Sequence, residues 1–113
     1  MVTSISRLEL QDAVAGGTVT LVETLRAENY ADGHLPGAVH LHFDDVAAHA
    51  RELVPDLSTP IVTYCSNSAC RNSHIAAERL IELGYRNVRR YVDGKQDWVE
   101  HGLPLERLEV ATR

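Results

Sequence analysis

The sequence predicts an α/β fold, with a mainly parallel β-sheet carrying helices on both faces. Three observations carry the prediction. Short β-branched and apolar runs alternate along the chain with stretches whose apolar residues recur at helical spacing. One run, Pro60-Ile61-Val62-Thr63-Tyr64, has no charge at all, as expected of a strand in the middle of a parallel sheet and covered on both sides. Strands separated by helices, in turn, imply right-handed crossovers within one sheet. With 113 residues, 44% of them hydrophobic, the chain suits one domain over residues 1–113 with a core of about 6–104. A domain near this size buries about 65% of its unfolded-chain surface, enough for a real core.

The elements follow in order. Ser6 and Glu9 stand at capping-box spacing, Leu10, Ala13 and Val14 share a helical face, and Gly16-Gly17 ends the segment, so the first helix lies between them. Thr18 to Glu23 reads as a strand, and so does Val39 to Leu41 after the turn cluster Gly33-His34-Leu35-Pro36-Gly37. Phe43, Val46, Ala47, Ala50 and Leu53 mark one face of a helix with Asp44 and Asp45 in its first turn, where the dipole favours acids, and Pro55 closes it. After the 60–64 strand, Ile75, Ala76, Ala77, Leu80, Ile81 and Leu83 form a helix with Asn72 or Ser73 as N-cap and Gly84 past its end. Val88 to Val92 is the last strand and Lys95 to Glu100 a short last helix, with Pro104 ending the regular part.

Composition excludes several classes of function. A net charge of −5 with no basic run, and 5% aromatic residues, argues against a nucleic-acid partner. No apolar run approaches membrane-spanning length, and the N-terminus lacks a basic segment followed by an apolar one, so the expectation is a cytoplasmic protein without a membrane partner. Two cysteines five positions apart cannot frame a disulfide scaffold, and His40, His42 and His49 fall at no metal-ligand spacing, so neither a metal nor a cofactor is expected. Free thiols in a reducing compartment remain.

In parallel sheets, ligands bind beyond the carboxyl ends of the strands. The segment to inspect is therefore Cys65-Ser66-Asn67-Ser68-Ala69-Cys70-Arg71-Asn72-Ser73, which joins the uncharged strand to a helix. Ser66, Asn67, Ser68, Ala69 and Cys70 are small enough to curl with their N–H groups inward as an anion nest at the helix N-terminus. Cys65 at the start of that nest is the candidate nucleophile, its thiolate favoured by amides and dipole. Arg71 adds a fixed positive charge for an oxyanion, and Cys70 is a candidate resolving thiol. Each has a plainer reading: Cys65 as a small buried apolar residue, Arg71 as a solvated cation, and Cys70 as loop packing. His34 is read as structural and Trp98 as core.

Taken together, Leu21-Val22-Glu23, Tyr30, Gly33-His34-Leu35-Pro36-Gly37-Ala38, the strand–Cys65 junction, Leu83-Gly84-Tyr85-Arg86-Asn87-Val88, and Asp93-Gly94-Lys95-Gln96-Asp97-Trp98 through Gly102-Leu103-Pro104 resemble the rhodanese homology domain from about Leu8 to Pro104. The resemblance implies a rhodanese-like three-layer α/β/α fold with a central five-stranded parallel sheet. It also implies a sulfurtransferase in which Cys65 takes a sulfane sulfur from thiosulfate or a persulfide donor and passes it to a thiol or cyanide. Two places depart from the family. Glu23-Thr24-Leu25 stands where many members have Asp-x-Arg, with Arg26 one residue late, and the spacing from Cys65 to Arg71 is longer than sulfurtransferases of this family usually show. The longer loop resembles related phosphatases and arsenate reductases, which makes oxyanion processing the first alternative. A non-catalytic binding module on the same fold is the second.

Overall fold

The strand expected to be most buried is the most buried. In the computed structural model, which describes residues 2–107, β4 (Ile61–Tyr64) has all four residues buried and pairs in parallel with a strand on each side. Its neighbours are β2 (Thr20–Glu23) and β5 (Val88–Tyr91), and the sheet is closed at its edges by β3 (Val39–His40) and β1 (Thr3–Ser4), giving the order β1-β5-β4-β2-β3. All pairings are parallel. The ends of the expected 1–113 domain, Met1 and residues 108–113, lie outside the described residues.

Strand alternation divides the core into two layers. Val22, Ile61 and Val88 point to the side covered by α3 (Val46–Leu53) and α4 (Asn72–Glu82), where they meet Val46, Ala50, Ala76, Ala77 and Leu80. Leu21, Val62, Tyr64 and Tyr91 point to the other side, where Leu10 of α1 (Arg7–Gly16) and Trp98 of α5 (Gly94–Glu100) cover them. The helix-on-both-faces reading therefore holds, and each layer is a continuous apolar cluster.

The capping box at the start of α1 forms as its spacing requires: Ser6 Oγ accepts from Glu9 N at 3.1 Å, and Glu9 Oε1 accepts from Ser6 N at 3.3 Å. Elsewhere the structure corrects the sequence reading. β1 and the six-residue α2 (Ala27–Asp32) were not anticipated; α2 buries none of its residues and so leaves no periodic apolar trace. Phe43–Asp45 forms a 3-10 turn leading into α3 rather than the first turn of an α-helix. Neither Asn72 nor Ser73 caps α4: the helix begins at Asn72, Arg71 holds the cap position without a side-chain bond, and Ser73 is turned into the core. No helix among the described residues is long and apolar enough to cross a membrane.

Candidate functional site

Tyr64 and Glu23 lie opposite one another at the carboxyl ends of β4 and β2. From there β2 leads to β3 on one side of the sheet and β4 leads toward β5 on the other, so the switch point, where open α/β sheets bind ligands, falls between these two strand ends. Cys65 is the first residue beyond β4. Its side chain is almost wholly buried, at 1% exposure.

The loop that follows is shaped by two sets of bonds. From within, Asn67 turns it: Oδ1 accepts from Ala69 N at 3.0 Å, and its carbonyl accepts from Cys70 N at 3.1 Å. From outside, the start of α5 grips it, with Lys95 N donating to the Cys65 carbonyl and Gln96 N to the Ser66 carbonyl, both at 2.8 Å. Those are amides the helix itself leaves without partners. The grip requires Gly94, whose φ is +68° and where a Cβ would stand 2.5 Å from the Cys65 carbonyl oxygen.

The Cys65 sulfur lies 3.3 Å from the Cys70 carbonyl oxygen and 3.3 Å from Ser73 Oγ. Behind Ser73 stands Arg90 of β5, donating from Nε to Ser73 Oγ at 2.7 Å and from an Nη to the Cys70 carbonyl at 2.9 Å. Thr63 Oγ1 donates to the Ser73 carbonyl at 2.9 Å, fixing the first turn of α4 to the sheet.

On the opposite side of the sheet, Glu23 is fully buried. Tyr64 Oη donates to its Oε1 at 2.8 Å, Lys95 Nζ lies 3.1 Å from the same oxygen, and Leu35 N donates to Tyr64 Oη at 3.0 Å. Lys95 thus supplies the cation beside the Glu23 carboxylate, while Leu25 packs as a buried apolar residue. Burial, with Glu23 adding to it, pushes the Tyr64 phenol far above its usual range, so that it stays a donor.

Of the residues the sequence singled out, Ser66, Asn67 and Cys70 are half-buried in the loop, Ser68 and Ala69 are exposed, and Arg71 is exposed. The structure brings Cys65 and Cys70 together and leaves Arg71 at the rim. The expected low thiol value at Cys65 is not what the geometry gives. Burial pushes the Cys65 thiol up, the adjoining Cys70 thiol adds to the rise, and Ser73 works against it. Burial also raises Cys70, but the Cys65 thiol and the N–H groups of Asn72 and Ser66 outweigh it, and Cys70 falls below the ordinary thiol value.

His34 is structural, as expected: Nδ1 bonds the Tyr30 carbonyl at 2.7 Å and the ring stacks on Tyr30 with centroids 3.9 Å apart. Trp98 packs in the core and donates Nε1 to the Pro104 carbonyl. His40 bonds the Leu25 carbonyl and His49 pairs with Glu52; among the described residues no three His, Cys, Asp or Glu side chains gather to hold a metal ion. Sequence reasoning missed Ser73, Arg90 and Lys95. The one signal for Arg90 was the Arg89-Arg90 pair inside an otherwise apolar strand.

Residues 6–101 match the family model described as rhodanese-like domain. The HTH-type transcriptional regulator Rv0324 of Mycobacterium tuberculosis is 35% identical over 103 residues; the match covers 91% of this chain but only 44% of the regulator's length. The thiosulfate sulfurtransferase GlpE of Coxiella burnetii is 24% identical over 101 residues, with 89% of this chain and 91% of the relative covered. Among solved structures, the BH2092 protein of Bacillus halodurans superposes with a TM-score of 0.86 at 21% identity, over 93% of this chain and 77% of that one. The human single-domain sulfurtransferase TSTD1 does so with a TM-score of 0.76 at 24% identity, over 88% and 97%.

Proposed function

The chain belongs to the rhodanese-like domain family, and on that premise we propose that it is a sulfurtransferase working through a persulfide on Cys65. The observation that carries the proposal is a sulfur buried at the switch point of the sheet and bonded to groups of its own loop and helix. In the first step the Cys65 thiolate attacks the outer sulfur of thiosulfate; the sulfur–sulfur bond of the donor breaks, and sulfite leaves with its electron pair. In the second a thiolate or cyanide attacks the outer sulfur of the persulfide and expels Cys65 as a thiolate. With the Ala69 and Cys70 N–H groups bonded to Asn67, the loop from Ser66 to Cys70 would hold the donor by its remaining N–H groups. Arg71, exposed at the rim, would act as a steering charge rather than a clamp. Free Cys65 and Cys70 suit a reducing compartment such as the cytoplasm.

Intact-mass measurement after thiosulfate treatment tests the proposal. One added sulfur is expected on the wild type and none on Cys65→Ser, since a hydroxyl in the same cradle forms no persulfide. Labelling of the Ser variant to the same extent would overturn it.

The identity to a transcriptional regulator favours one second reading, a module that holds sulfur on Cys65 as a signal without turning it over. The two part at the acceptor step: the sulfurtransferase consumes cyanide catalytically, whereas the module gains one sulfur and stops. The exposed position of Arg71 gives the phosphatase and arsenate-reductase alternative no enclosing cation, and it gains no support.

A further inference from the structure

Arg90 is an odd occupant of its strand. Val88 and Tyr91, on either side of the Arg89-Arg90 pair, are buried, and the Arg90 side chain points to the face covered by α4, where apolar residues form the core. Arg90 is half-buried, and withdrawing part of a guanidinium from water is costly unless it is paired. Among the described residues no carboxylate pairs with Arg90. Its bonds go instead to Ser73 Oγ and the Cys70 carbonyl, the two groups that touch the Cys65 sulfur.

The chemistry of the serine hydroxyl makes this arrangement directional. A hydroxyl has one hydrogen to give and two lone pairs with which to accept. Nε of Arg90, at 2.7 Å, fills one lone pair, and the Ser73 hydrogen is then best given to the remaining neighbour, the Cys65 sulfur at 3.3 Å. The second guanidinium bond ties down the Cys70 carbonyl, which as an acceptor favours the protonated thiol and would oppose negative charge on Cys65. We propose that Arg90 is a positioning residue of the site: it aims the Ser73 hydroxyl at Cys65 and holds the Cys70 carbonyl, so that negative charge on the Cys65 sulfur is met by a donor backed by a cation.

The inference rests on the sulfur-transfer reading for its purpose, because Cys65 must carry that charge to attack a donor and regains it when it is expelled from its persulfide. Cys70 and Arg71 come from the loop, and Lys95 of α5 gives Cys65 only its backbone N–H while its ammonium is held by Glu23.

The test follows the titration of Cys65 in a Cys70→Ala background, where Cys65 is the single thiol. Its alkylation rate by iodoacetamide is measured against pH for Arg90→Gln, Arg90→Lys, Ser73→Ala and the double variant Arg90→Gln/Ser73→Ala, each checked for folding by its amide NMR spectrum. A hydrogen bond to a charged group is worth at least about one pH unit, so Arg90→Gln and Ser73→Ala should each slow alkylation at pH 7 about tenfold and move its midpoint upward. The double variant should be slower than Ser73→Ala by clearly less than the tenfold that Arg90→Gln costs alone, because without the hydroxyl Arg90 keeps only its bond to the Cys70 carbonyl. Arg90→Lys, which keeps the charge, should recover part of the loss. A purely structural Arg90 would lower the melting temperature and leave the midpoint in place. An unchanged midpoint in folded Arg90→Gln, or in Ser73→Ala should Arg90→Gln not fold, overturns the proposal, and so do additive shifts in the double variant. Persulfide formation from thiosulfate is followed on the same proteins: its absence from every variant and from the parent would count against sulfur transfer, while the alkylation shifts would still report on Arg90.

Discussion

Replacing Gly94 by Ala should damage the site more than any comparable change at a glycine elsewhere. Gly94 opens α5 at φ +68°, a left-handed conformation that costs an L-residue about 1–2 kcal/mol. The added Cβ would meet the Cys65 carbonyl oxygen at 2.5 Å, Asn67 N at 3.0 Å and the Ser66 carbonyl carbon at 3.0 Å, all of them backbone atoms that cannot swing aside as a side chain would. Overpacking of this kind adds about 1–3 kcal/mol, for a total near ~3 kcal/mol, and a domain of this size should lose on the order of 10 °C or more in melting temperature. The atoms displaced belong to the Cys65 loop, so the rate of persulfide formation should fall by about a hundredfold, as for an ångström-scale misplacement of a reacting group. Gly17→Ala is the control. Its φ is +65°, with nothing within 4 Å of the built Cβ, so it should carry the conformational cost alone, about 1 kcal/mol, and leave the chemistry intact. Thermal unfolding and single-turnover labelling by thiosulfate on both variants decide the matter. Equal melting losses, with persulfide formation unimpaired in Gly94→Ala, would refute the claim that α5 grips the loop by direct backbone contact.

Two further outcomes are expected. Glu23→Gln leaves the Lys95 ammonium without its carboxylate in a largely enclosed place, and breaking such a pair costs about 3 kcal/mol; urea unfolding should show it, and a change under about 0.5 kcal/mol would mean the pair contributes nothing net. Cys70 is expected to act as resolving thiol: its thiolate attacks the Cys65 sulfur of the persulfide, the bond to the outer sulfur breaks, sulfide leaves, and a Cys65–Cys70 disulfide remains for a cellular dithiol to reduce. After mild peroxide, peptide mapping should find the two cysteines linked, with sulfinic acid on Cys65 building up faster in Cys70→Ser; equal rates would leave Cys70 as packing.

The elements legible in the sequence are those whose burial imposes a pattern. The 60–64 strand, the Ser6 capping box and the alternation of Leu21, Val22 and Val62 between layers follow from apolar spacing that only one arrangement can satisfy. β1 was not legible because Thr3 and Ser4 are both exposed and become a strand only by pairing with Arg89 and Arg90. The site divides the same way. Cys65 and Cys70 are visible because a reactive loop advertises its residue types, but Arg90 and Lys95 reach it from segments distant in the chain, and no local pattern joins residue 90 to residue 73. The thiol value at Cys65 escapes the sequence for a related reason: spacing shows that amides are near, whereas the burial that pushes the Cys65 thiol up is a property of the folded chain.

The order of strands in the sheet also sets a timetable. β4 can pair with β2 as soon as both exist, but β5 and the start of α5, which bring Arg90, Gly94 and Lys95 to the loop, follow β4 in the chain, and β1 must wait for β5 before it has a partner. During synthesis, which proceeds from the N-terminus, Cys65 is therefore made well before anything that shields or orients it. Until Gln96 has been added and has closed on the Ser66 carbonyl, that thiol is an ordinary unguarded cysteine, open to oxidants and lacking the surroundings of the folded site. A ribosome-stalled chain ending before Val88 should react with alkylating agents as a free peptide thiol does, and the protected, directed sulfur is a property the domain acquires only once residues 88–96 have joined the sheet and loop.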